Sequence, residues 1–205
     1  MKTSSKKKLR NHYRHESQIL SRGVSLIGGT DEVGRGCLAG PVFAAAVVFP
    51  PKLRIPGVDD SKKLSPSLRE KLYDVIVRHA LSWSVASVGA EEIDRINIHH
   101  ASLKAMRLAV FQLNPAPEFL LVDGRFPVPD ILNQKPIIHG DSLSHTIAAA
   151  SILAKVSRDR LMMELEKEYS GFSFSRHKGY GTKQHVEEIR RHGLTPIHRR
   201  SFKCF

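Results

Sequence analysis

The 205-residue chain is 41% apolar and 25% charged, the balance of an ordinary globular protein with room for one sizeable core. Lys plus Arg outnumber Asp plus Glu by 32 to 20, and the net charge of +12 draws phosphate-rich partners without by itself separating them from a generally basic surface. Its two cysteines, Cys37 and Cys204, are too few for a disulfide scaffold or a zinc cluster, and no run is apolar and long enough to span a bilayer, so a reducing, cytoplasmic setting is expected.

Residues 1–22 carry Lys6, Lys7, Lys8, Arg10, Arg14 and Arg22 against the single acid Glu16, with little apolar periodicity and no h-region of a secretory signal. They read as a basic flexible arm, either adding non-specific affinity for nucleic acid or serving only to solubilise, ahead of a folded domain over 23–205. Residues 24–29 suit a short strand ending at Asp31, and 41–49 (PVFAAAVVF) a buried one. A helix is expected over 66–80 from the Ser65 cap and the Pro66 start, then a strand over 81–88 and a helical stretch within 91–113. Residues 119–122 form an apolar strand that delivers Asp123, and 137–139 a last short strand before Asp141. From Ser142 a long helix is expected to about Tyr169, apolar nearly all round in its first half and therefore buried against a sheet. A helix over 182–192 and an extended end over 196–205 complete an α/β mixed sheet with helical cover.

Asp31, Asp123 and Asp141 each close or follow an apolar segment, so neighbouring strands can bring them to one sheet edge; Glu32 adjoins Asp31. Phosphodiester hydrolysis by two hard cations uses such an all-oxygen cage, and Mg²⁺ or Mn²⁺ suits it. Taken singly, each acid has a plainer reading, Asp141 as a helix cap and Asp123-Gly124 as a turn. Together they repel one another unless a cation is bound. Because successive side chains in a regular strand point to opposite faces, the strand is expected to end or bulge between Asp31 and Glu32.

Gly34-Arg35-Gly36 permits close approach of backbone to a ligand, but for a bare three-residue pattern a structural turn is the commoner explanation, and it matches neither a P-loop nor a dinucleotide fingerprint. Lys62, within Asp60-Ser61-Lys62-Lys63, offers an ammonium to phosphates or a solvated turn. Ser151, Lys155 and Arg158 share one helix face as a phosphate-facing row. Tyr180, between two glycines, is placed either to stack on a base or sugar or to fill the core edge. The histidines show no zinc spacing, and none is assigned as a ligand.

Read in order, GTDEVGRGCLAGPV at 29–42, DDSKKL at 59–64, LVDG at 121–124, GDSLSHTIAAASILAKVSRDR at 140–160, HKGYGT at 177–182 and TPIHRRSF at 195–202 resemble bacterial ribonuclease HII. The resemblance spans roughly 24–203. It implies an RNase H-like fold, a mixed five-stranded sheet flanked by helices with a C-terminal helical extension. It also implies endonucleolytic cleavage of RNA in RNA/DNA hybrids, or 5′ of a single ribonucleotide in duplex DNA, leaving 3′-hydroxyl and 5′-phosphate ends and serving ribonucleotide removal. The family's metal-binding acids fall on Asp31, Glu32, Asp123 and Asp141. Its 2′-OH-reading motif falls on Gly34, Arg35 and Gly36, its sugar-stacking tyrosine on Tyr180, and its phosphate contacts on Lys62, Lys155 and Arg158. Cys37, Leu143 and His145-Thr146 depart from the family pattern, which has proline, often lysine and a smaller pair there. A monomer is expected. Two rivals stay open on sequence alone: a nucleic-acid-binding protein without catalysis, and a DNA nuclease on a related fold.

Overall fold

The computed structural model describes residues 12–202. Five strands form one mixed sheet in the order β3-β2-β1-β4-β5. Strands β1 (Ile27–Val33), β2 (Val42–Val48) and β3 (Ser82–Val88) make an antiparallel meander. Strands β4 (Phe119–Asp123) and β5 (Gln134–Ile137) then add in parallel beside β1.

Strand β2 lies in the interior of this sheet and is apolar on both faces. Val42, Ala44, Ala46 and Val48 pack with Ile93, Met106, Leu120 and Val122 on one side, while Ala45, Val47 and Phe49 meet Ile76, Ala149, Ile152 and Leu153 on the other. A strand covered twice reads as a continuous apolar run, which is why PVFAAAVVF shows no alternation. The first face is covered by helix α3 (Ala90–Phe111), bent at Asn97 where φ is 64°. The second is covered by α4 (His145–Glu168), with α2 (Pro66–His79) packed against it. Helix α4 crosses β1 at Gly29, where a Cβ would lie 2.5 Å from the Thr146 carbonyl carbon, so only glycine permits that approach. Short α5 (Phe174–His177) and α6 (Lys183–His192) form the C-terminal helical extension.

Four expectations are corrected. Residues 14–20 are not a flexible arm: Arg14–Leu20 is a helix, α1, that buries Ile19 against Ile27, Leu121, Ile137 and Ile147 and also buries Glu16. The rest of that expectation, residues 1–11, lies outside the described residues. Strand β5 is Gln134–Ile137 rather than 137–139, because His139 takes a left-handed φ of 57° that no strand continues through. Helix α4 starts at His145, since Gly140–Ser142 winds into a 3-10 turn and Ser144, not Asp141, caps the helix by accepting from the Ile147 amide. The segment 196–202 is a set of turns with one bridge, Ala39 to His198, in place of an extended end.

Candidate active site

Parallel pairing of β1 with β4 stops at Thr30 and Val122. Beyond that point Asp31 and Glu32 stand on β1 and Asp123 ends β4, so three acids meet where the ladder gives out. One carboxylate oxygen from each of Asp31, Glu32 and Asp123 lies within 4.8 Å of the others. The expected bulge is absent: β1 keeps regular register with β2 through Asp31–Ala45, Glu32–Ala44 and Val33–Phe43. The two acids therefore leave opposite faces, and they converge because the adjoining strand has ended. Asp141, on the turn before α4, joins them through its amide, which donates to Asp123 Oδ1 at 3.3 Å. Its own carboxylate accepts from Lys62 Nζ at 3.1 Å.

The cluster is electrostatically unfavourable as bare anions. Burial, followed by repulsion from Glu32, Asp123 and Asp141, holds the Asp31 carboxyl well above the usual range. Burial raises Glu32 as well, against the attraction of Arg35, whose Nη1 lies 3.3 Å from Glu32 Oε1. Asp123 is raised by burial and then by Asp141. For Lys62, burial opposes the charge, but Asp141 and Asp31 outweigh it and its pKa rises. An all-carboxylate set that repels itself when ionised fits a hard, oxygen-seeking divalent cation.

Next to the acids, residues 34–40 form a loop fixed by two buried arginines. Arg199 donates to the carbonyls of Gly34 at 2.7 Å, Arg35 at 2.8 Å and Gly40 at 2.9 Å. Arg158 donates to those of Pro41 at 3.0 Å, Ala39 at 3.1 Å and Lys178 at 2.8 Å. The second set joins the glycine loop to the one bearing Tyr180, and the Leu38 amide adds a bond to the Gly179 carbonyl at 2.7 Å. Gly34 has φ +91°, and a Cβ there would meet Arg158 Nε at 2.3 Å, so the protein itself requires this glycine. Gly36 is different: a Cβ would meet nothing within 4 Å, and the residue is exposed.

These contacts correct the phosphate-facing row. Arg158 is fully buried and holds carbonyls; it is not available to phosphate. Ser151 is buried too, accepting from the Ser61 amide at 3.4 Å and so tying the turn that carries Lys62 to α4. Lys155 is paired with Asp159 at 2.7 Å, its Nζ 5.9 Å from the centre of the Tyr180 ring. Lys62 and Tyr180 remain exposed at the site, the latter by 39%. Sequence reasoning assigned no role to Arg199 or Glu16. For Arg199 the signal was present in TPIHRRSF, but a lone arginine in a tail gives no sign that it is buried.

A family model described as Ribonuclease HII matches residues 28–205. The ribonuclease HII of Caldicellulosiruptor bescii is 49% identical over 193 residues, 94% of this chain and 93% of that one. That of Desulfitobacterium hafniense is 52% identical over 190 residues, covering 92% and 73%. Among solved structures, ribonuclease H2 from Pyrococcus horikoshii superposes with a TM-score of 0.73 at 25% identity, over 87% of this chain and 94% of that one. The RNase HII of Archaeoglobus fulgidus, solved in a complex with PCNA, gives 0.71 at 25% identity, over 87% and 95%.

A five-stranded mixed sheet with acids gathered where one ladder stops, matched over most of its length by these proteins, makes the chain a ribonuclease H, an endonucleolytic hydrolase. The attachment is specific within that class. The chain belongs to the ribonuclease HII family.

Proposed function

We propose that Asp31, Glu32, Asp123 and Asp141 hold two divalent cations, Mg²⁺ or Mn²⁺, and that the chain cuts 5′ of single ribonucleotides embedded in duplex DNA as well as the RNA strand of RNA/DNA hybrids. The observation that carries this is the convergence of Asp31, Glu32 and Asp123 oxygens within 4.8 Å, next to a glycine loop open to a ligand. Cations held there supply Lewis-acid activation of water and neutralise the charge that builds on the phosphoryl oxygens. The chain's residues do the rest. Asp31 and Glu32 grip from opposite faces of β1, and Asp123 and Asp141 are set relative to each other by their shared hydrogen bond.

Substrate choice resides in the loops. Neither packing nor backbone strain explains glycine at Gly36; the closeness of a sugar–phosphate backbone does, and a 2′-OH bonded there separates RNA from DNA. Gly34 and Arg35 present their carbonyls inward to Arg199, which leaves the outer rim of the loop toward solvent. Tyr180 offers a half-covered ring for stacking on the adjacent sugar, and Lys62 an ammonium for the phosphate. Lys155 reaches phosphate only by leaving Asp159. Among the described residues no helix is long and apolar enough to cross a membrane. The buried, unpaired Cys37 thiol supports a reducing compartment, and with it the cytoplasm; we take the protein as a monomer acting in ribonucleotide removal.

The test is cleavage of an end-labelled DNA duplex containing one ribonucleotide, beside an all-DNA control, with Mg²⁺, Mn²⁺ or EDTA. Metal-dependent cutting 5′ of the ribonucleotide with the control intact is expected. Equal cutting of both duplexes would overturn the specificity, and cutting of neither would overturn the assignment of substrate.

A further inference from the structure

Helix α1 is short and polar, yet it carries the least expected buried charge in the chain. Glu16 is 1% exposed, and its Oε1 accepts from Ser144 Oγ at 2.6 Å, the Thr146 amide at 3.0 Å and Thr146 Oγ1 at 3.1 Å. These donors lie at the N-cap and in the first turn of α4. Ser144 is the residue that caps that helix, and its amide in turn bonds the Gly140 carbonyl at 2.8 Å. Asp141 sits between the two. Just ahead of α1, His12 Nε2 donates to the Asp141 carbonyl at 3.2 Å. The loop bearing the fourth acid is thus held by Asp123 on its inner side and by two residues of the N-terminal segment on the other.

Stability alone is a poor reason for this arrangement. Glu16 Oε2 has no hydrogen-bond partner among the described residues, and burying a carboxylate with one oxygen unpaired is costly. A carboxylate at the first turn of a 24-residue helix recovers part of that cost from the helix dipole. What it secures is geometry: the start of α4 is pinned, and with it the few residues that separate the cap from Asp141. We propose that Glu16 is a positioning residue for the reaction, setting the Asp141 carboxylate through the Ser144 cap of α4. The inference rests on the reading of Asp141 as a metal-binding acid.

The test compares Glu16→Ala and Glu16→Gln with the parent, using kcat and KM on the ribonucleotide-containing duplex and calorimetric Mn²⁺ binding to the full chain without nucleic acid. Glu16→Ala should lower kcat at least tenfold with KM within about twofold, and weaken Mn²⁺ binding by a similar factor. Glu16→Gln, which keeps an acceptor at Oε1, should recover most of both. Ile76→Val, a buried position of α2 that makes none of the hydrogen bonds to the loop, serves as a control of reduced stability with parent kcat. Parent-like kcat and Mn²⁺ affinity in Glu16→Ala would overturn the proposal, as would an equal loss in Ile76→Val. Asp141→Asn, run alongside, separates the causes. If it is inactive while Glu16→Ala is parent-like, the positioning role alone is wrong; if it is active, the reading of Asp141 falls and the proposal with it.

Discussion

The guanidinium of Arg199, a residue 2% exposed, donates through Nη2 to the Gly34 carbonyl at 2.7 Å, so a side chain from the last turn of the described chain sets the conformation of the loop beside Asp31 and Glu32. Arg199→Lys keeps the charge and loses the fork. It leaves carbonyls of Gly34, Arg35 and Gly40 short of donors, and the expected loss is about 3 kcal/mol of stability. KM on the ribonucleotide substrate should rise as well. Urea unfolding and steady-state kinetics measure the two, and an unchanged KM would detach the loop from substrate binding.

Asp31→Asn should abolish cleavage and yet raise the melting temperature of the metal-free protein at neutral pH by a few degrees. The sign follows from linkage. The folded carboxyl has a pKa raised by burial and by its acidic neighbours, so its contribution to stability is largest at low pH and is lost as pH rises through that raised value. At neutral pH the cost of placing this acid among its neighbours, whether met by ionising it or by holding its proton, opposes folding, and asparagine removes the opposition. A lower melting temperature in the variant would contradict this account.

Divalent cations should stabilise the parent most at high pH. Protons compete for the same raised carboxylates of Asp31, Glu32 and Asp123, so Mg²⁺ or Mn²⁺ gains grip as they ionise. Saturation at a hundredfold above Kd is worth about 2.7 kcal/mol. Thermal shifts with and without metal at pH 5 and pH 8 read this directly. Shifts of equal size at both pH values would place the binding elsewhere.

Acid should destabilise the fold partly through His145. Burial drives its pKa down to about 4, and its Nε2 accepts from the Ile55 amide at 3.1 Å, an acceptor role only the neutral ring can fill. Because the folded pKa is depressed, the unfolded chain binds the proton first and stability falls as pH drops from 6.5 toward 4, by up to about 1.4 kcal/mol per pH unit. His145→Gln, which can still accept, should flatten that slope in urea titrations without removing the part due to His198, also lowered to about 4 by burial.

The two glycines of the loop should separate fold from recognition. Gly34→Ala meets both the left-handed backbone and Arg158 Nε at 2.3 Å, and should lose about 1–3 kcal/mol. Gly36→Ala has open space and should melt like the parent while binding the ribonucleotide duplex about tenfold more weakly. Parent-like affinity for Gly36→Ala would mean the substrate backbone passes elsewhere.

Much of this site could be read from residues in a row. Asp31, Glu32, Asp123 and Asp141 announce themselves by following apolar strand segments, and β2 and α4 by unbroken apolar runs, because burial leaves a local imprint on composition. What stayed hidden depends on contacts distant in sequence. Arg158 and Lys155 look alike on a helical wheel, yet the first is enclosed by carbonyls from residues 39, 41 and 178 while the second faces Tyr180. Helix α1 buries only Glu16 and Ile19, too few positions to show a period, and Glu16 reads as a surface acid until Ser144 and Thr146 are seen beside it. The convergence of Asp31 and Glu32 needed no bulge, only the early end of a neighbouring strand, which is a property of pairing rather than of either residue.

Among the described residues, every guanidinium hydrogen bond of Arg158 and Arg199 ends on an uncharged main-chain carbonyl. Burial lowers the Arg199 pKa only to about 10, so it keeps its proton at neutral pH. Two full positive charges thus lie sealed under the glycine and tyrosine loops, beyond the reach of mobile counterions that screen surface lysines. The pull of this surface on a polyanion accordingly has a component that salt does not titrate away, and attraction at the reactive end should outlast attraction by the basic exterior as ionic strength rises.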